Sequence, residues 1–244
     1  MNDNPPPLGQ PAQPQPHSYA QNTGSGKKTA AGCGIGCLVV LVVGVILSVI
    51  GVRFVKGKIT DVIDTYTADE AVEIVAPEIA EPVRDDAMAR FDTFRTAMAT
   101  NNPAEPLVMS EEDINSLIFH HPSFDALKGS AIVSIEDNLL NAEVSFDLDS
   151  WDIPIEFLAD AVKGKFFNGD ITLSVGMVAS RPALFVEDLS VGGIQFPSMY
   201  LEELRKENLL KDVQSEPELR KIFDKVRELK IENNQLVIVP VNTP

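Results

Sequence analysis

Beyond Cys37 the sequence has no cysteine, and its only two, Cys33 and Cys37, fall inside one apolar stretch. A framework of intrachain disulfides is therefore excluded for everything that follows. Basic side chains are scarce as well, with 20 Lys and Arg against 36 Asp and Glu. The first 52 residues hold only Asp3, Lys27 and Lys28, leaving about −17 of net charge beyond Val52, a surface that repels phosphate backbones and argues against nucleic-acid binding. Gly-x-Ser-x-Gly elbows and phosphate-cradling glycine loops are missing, and no thiol outside the apolar stretch could serve as nucleophile. The expectation is a protein that is not an enzyme and carries no cofactor.

What the chain does contain is a run from Ala30 to Val52 without a single charge, long enough as a helix to cross the ~30 Å hydrocarbon core of a bilayer. A single-pass transmembrane helix is expected over residues 30–52. No Ala-x-Ala-like cleavage site closes the run, and the hydrophobic stretch follows Cys33 and Cys37 instead of preceding them, so neither a cleaved signal nor a lipoprotein signal fits and the helix reads as a retained anchor. Spaced i, i+4, the two cysteines share a helix face, where they serve either as small apolar residues or as palmitoylation sites. Gly32, Gly36, Gly44 and Ser48 recur at multiples of four, a stripe of small residues along which two such helices could pack as a homodimer. Lys27 and Lys28 before the run face Arg53, Lys56 and Lys58 after it, which by the positive-inside count is nearly a tie.

Residues 1–29 are rich in Pro and Gln and read as a disordered tail. Residues 53–83 are acidic, broken by Pro77 and Pro82, and read as a stalk. The remainder, residues 84–244, is long enough for one domain. Ala87, Met88, Phe91, Phe94 and Met98 place an amphipathic helix over 84–99, ended by Asn101-Asn102-Pro103. Ser110 with Asp113 forms a capping-box signal for a second helix that stops before Pro122. Leu140 to Leu148 alternate with polar residues, preceded by Ala131, Val133 and Ile135 across Asp137-Asn138. Ile171 to Met177 alternate again, and 183–191 return after a turn at Ser180-Arg181-Pro182. Helices are expected at 198–211 and 217–230, the latter with a Ser215/Glu218 capping box, and a last hairpin over 230–239 around Asn233-Asn234. The fold class is α+β: a curved antiparallel sheet of about six strands in hairpins, packed with amphipathic helices and preceded by one transmembrane helix.

Metal chemistry has little support. His120 and His121 are adjacent, so their side chains diverge, and Asp147, Asp149 and Asp152 lack the glycine and the bidentate Glu of a calcium loop. Trp151, Phe157, Phe166 and Phe167 are more suggestive, gathered between the two strand pairs beside Asn168-Gly169, which reads as a turn. They pack a core, or they line an apolar groove that holds a ligand such as an acyl chain.

The segments "LVMSEEDINSL" (107–117), "KFFNG", "VGGIQFP" running into "LEELRKENL", and "LKIENNQLVIV" resemble a family of bacterial single-pass membrane proteins with an extracytoplasmic domain, distantly similar to YpmS-type and LmeA-type proteins. The resemblance spans roughly residues 85 to 240. It implies a cytoplasmic N-terminus, an outward-facing domain in the cell envelope, and a tubular lipid-binding-like fold on the LmeA side, but no catalytic residues. The expected function is a membrane-anchored extracytoplasmic module for an apolar ligand, lipid first of all. The alternative is a non-catalytic interaction or structural domain of an envelope assembly.

Overall fold

Tight two-residue turns set the strand registers. Asp137-Asn138, Ala179-Ser180, Gly192-Gly193 and Asn233-Asn234 all take positive φ at both positions, the type I′ geometry whose twist matches that of paired strands. The protein is described from a computed structural model covering residues 59–150, 156–211 and 217–243. The tail, the apolar run with Cys33, Cys37, Gly32, Gly36, Gly44 and Ser48, and Trp151 lie outside these residues, as does the Ser215/Glu218 capping-box pairing. Among the described residues no helix is long and apolar enough to cross a membrane.

The order is α1 (Ile59–Tyr66), α2 (Glu81–Thr100), β1 (Leu107–Met109), α3 (Glu111–His120), β2 (Ala131–Glu136), β3 (Leu139–Asp147), α4 (Glu156–Ala161), β4 (Phe166–Val178), β5 (Arg181–Val191), β6 (Ile194–Gln195), α5 (Ser198–Leu204), α6 (Pro217–Phe223), β7 (Val226–Glu232) and β8 (Gln235–Pro240). The fold is α+β and antiparallel, as expected, but its strands form two sheets instead of one of six strands. One runs β2-β3-β4-β5-β6 and the other β1-β8-β7. β7 packs against β4 and β5, and the tips of the β2–β3 and β7–β8 hairpins interlock, Asn138 N–H donating to Asn234 Oδ1 and Asn234 N–H to Asn138 Oδ1, both at 3.3 Å.

α3 begins at the expected capping box: Ser110 Oγ accepts from Asp113 N–H at 3.2 Å and Asp113 Oδ2 from Ser110 N–H at 2.9 Å. Arg90 on α2 donates to Asp113 Oδ1 and to the Val108 carbonyl, both at 2.6 Å, so a single guanidinium ties α2 to α3 and β1. Two helices are shorter than the apolar spacing predicts. α5 stops at Leu204 because Asn208 turns its side chain back, accepting from Leu184 N–H at 3.1 Å, while Leu209 N–H donates to the Leu184 carbonyl at 2.9 Å; Leu209 and Leu210 are thereby buried. α6 stops at Phe223, and Val226 and Leu229, expected on its face, enter β7 instead.

The largest departure is at the segment expected as a stalk. Ile63 and Ile74 belong to the same buried core as Phe146, Leu148, Phe167 and Leu189. Residues 59–76 are thus part of the folded domain, because two isoleucines are more stable in its core than exposed to water.

Candidate functional site

Side chains alternate along β4: Phe167, Gly169, Ile171 and Leu173 are buried, while Phe166, Asn168 and Thr172 are half-buried and Asp170 is exposed. On the second face the chain leaving α1 is fastened. β5 pairs with β4 only from Gly169 onward, and beside Phe166 the adjoining lane is taken by Ala68. Ala68 and Phe166 exchange two backbone hydrogen bonds of 2.8 Å each. Two residues further, Asn168 works as a surrogate strand: Nδ2 donates to the Glu70 carbonyl at 2.9 Å and Oδ1 accepts from Val72 N–H at 3.2 Å. Ser145, directly opposite Asn168 in the β3–β4 register, accepts from Val72 N–H at 3.1 Å and donates to Asn168 Oδ1 at 2.8 Å. This closed network buries Ser145 to 5% exposure on a face expected to be wet.

Ion pairs and rings continue the clasp. Lys165 Nζ lies 2.8 Å from Asp69 and 3.6 Å from Asp64, and the hydrogen bond to Asp69 holds the ammonium above its usual pKa range. Tyr66 packs edge-on against Phe196 with centroids 5.4 Å apart, and Phe196 lies 6.1 Å from Tyr200. Burial, with Tyr200 nearby, raises the Tyr66 pKa, so its phenol stays neutral. Gly192 N–H donates to the Asn168 carbonyl at 2.8 Å, which sets the β5–β6 turn against the clasp.

The aromatic residues proposed for a groove are therefore placed in part. Phe167 is 2% exposed and packs in the core. Phe166, its strand neighbour, points to the opposite face, so the two do not line one groove. Trp151 and the side chain of Phe157 lie outside the described residues. Asn168-Gly169, expected as a turn, lies within β4. There Asn168 is committed to the incoming chain, and only glycine fits at 169, since a Cβ would stand 2.9 Å from the Phe167 ring and 3.0 Å from the Ser190 carbonyl.

Of the histidine and aspartate candidates, His121, Asp147 and Asp149 have structural partners. His121 is buried, its Nδ1 accepting from Ser123 N–H at 3.1 Å and its Nε2 lying 3.3 Å from Asp92 Oδ1, with Phe91 and Phe124 rings packed on it. Asp147 accepts from Asp149 N–H and Asp149 from Gly164 N–H, so these acids fix the loop after β3. A cavity of about 270 Å³ is bordered by Met98, Asn101, Asp224, Lys225 and Val241. Its amide and charged rim does not suit an acyl chain.

Sequence reasoning found "KFFNG" but missed Ala68, Ser145 and the task of Asn168. Neither Ser145 nor Asn168 carried a signal in the sequence, since Asn168-Gly169 reads as a turn and the Ser145–Asn168 register is set only by the fold. Comparisons with protein-family models, with curated proteins and with solved structures find no match.

Proposed function

We propose that the protein is a non-catalytic, membrane-anchored extracytoplasmic module that binds an apolar ligand, a lipid, with residues 30–52 as its anchor and residues 1–29 in the cytoplasm. The clasp on residues 68–72 is the observation that carries this reading. A domain that only needed a leash would leave the chain behind an anchor loose, whereas here Lys165, Phe166, Asn168 and Ser145 all hold it, so the domain keeps a defined face toward the membrane from which a lipid would come. The choice of a lipid is supported by the exposed apolar residues of that end, Val72, Ile194 and Met199, and agrees with the resemblance to LmeA-type proteins.

A second reading, a ligand-free interaction domain of an envelope assembly, is favoured by the burial of Phe167 and by the opposite facing of Phe166. Native mass spectrometry of residues 59–244 after incubation with a membrane lipid extract separates the two. A discrete lipid adduct is the expected result. A bare polypeptide mass under the same conditions transfers the assignment to the second reading.

A further inference from the structure

Resting on the membrane anchor of that reading but not on a bound ligand, we propose that the clasp end of the domain, through Ile194, Met199 and Val72, lies against the surface of the bilayer in which the chain is anchored. These three side chains are 47%, 67% and 44% exposed, and it is their grouping at one end, not exposure as such, that calls for a partner. They share one end of the molecule. Val72 N–H is bonded to Asn168, Gly192 of the β5–β6 turn is bonded to the same residue, and Ile194 and Met199 flank Phe196, whose ring packs on Tyr66.

The short chain between Val52 and Ile59 keeps this end near the membrane. From Arg53 to Lys58 the chain reaches at most ~20 Å when fully extended. α1, which has eight residues, adds ~12 Å at most before Tyr66 and the clasp. β4, with 13 residues, runs ~40 Å away from the clasp toward Val178, so the β4–β5 turn stands clear of the bilayer when the clasp end touches it. The chemistry agrees with headgroup depth. Tyr66 and Tyr200, half-buried around the buried Phe196, bring to this end the amphipathic rings favoured at membrane interfaces, with Arg53, Lys56 and Lys58 in the intervening chain. Asp69, Glu70 and Glu73 on the same segment are exposed, which keeps the contact shallow and favours zwitterionic over anionic lipid.

The test uses the full chain with Cys33→Ser and Cys37→Ser, reconstituted in phosphatidylcholine vesicles that contain headgroup-level spin-labelled lipid. An environment-sensitive fluorophore is attached at Met199→Cys or, for comparison, at Val178→Cys, which is 51% exposed. Quenching at position 199 is expected to exceed that at 178 by about twofold or more, as for a side chain at the headgroup boundary. Equal, weak quenching at both positions in chains that float with the vesicles overturns the docking while leaving the anchor intact. Chains that do not float with the vesicles overturn the anchor, and the docking with it.

Discussion

On α3, Asn115 is 2% exposed and its amide does for β2 what another strand would do: Nδ2 donates to the Val133 carbonyl at 2.7 Å and Oδ1 accepts from Val133 N–H at 2.9 Å. With Glu111 accepting from Ile135 N–H at 3.2 Å, this side of β2 is closed to pairing with another chain. Its neighbour Ser116 is completely buried, and its Oγ has no hydrogen-bond partner. Burying an unpaired hydroxyl costs free energy, whereas removing a partner from two buried backbone groups costs more. Asn115→Ala should therefore lower unfolding free energy by about 2–3 kcal/mol, and Ser116→Ala should leave it unchanged or raise it by about 1 kcal/mol. Equilibrium urea unfolding reads both. A loss at Ser116 as large as that at Asn115 would mean that a buried water satisfies the hydroxyl.

Among the structural elements, the β4–β5 hairpin is built against local preference. Ala179 and Ser180 sit at φ 50° and 62°, where a Cβ is unfavourable unless the side chain is Asn, Asp or absent. Replacing the pair by Asn-Gly should raise the melting temperature by about 2–4 °C, the shift that ~1 kcal/mol gives in a domain of this size. An unchanged or lower melting temperature in calorimetry would show that neighbouring packing, not the turn, sets the geometry. The same hairpin shows what sequence reveals. Asp137-Asn138 and Asn233-Asn234 are legible because their side chains tolerate left-handed backbone, whereas Ala179-Ser180 gives no such signal and the turn was expected one residue later. The capping box at Ser110 is legible because its partners are three residues apart. The ends of α5 and α6 are not, because Asn208 and Val226 answer to β5 and β8, and β1 and β6 are too short to show alternation. The clasp was beyond reading, since Val72 and Glu70 meet Ser145 and Asn168 across separations of 73 to 98 residues.

For the whole molecule, the question is where the domain begins. Apolar periodicity puts the first helix at 84 and everything before it in a stalk, yet Ile63 and Ile74 are 6% and 7% exposed within the common core. Each buried isoleucine contributes about 1.5–3 kcal/mol, so the pair offers about 3–6 kcal/mol against the cost of ordering residues 59–80. That is a large share of the 5–15 kcal/mol that holds a typical domain together. A fragment starting at 84 would also leave Ser145 and Asn168 without Val72 and Glu70, and Phe196 without the ring of Tyr66. Residues 84–244 should accordingly melt at a markedly lower temperature than residues 59–244, with a broadened transition, while the longer fragment unfolds in one cooperative step. Circular dichroism at 222 nm during heating distinguishes the two. Coincident melting curves would mean that the core closes without α1 and residues 68–72, and that residues 59–76 only rest on its surface. With the expected result, the domain begins at α1 and not at α2, because Ile63 and Ile74 complete its core and Ser145 and Asn168 hold the backbone at Glu70 and Val72.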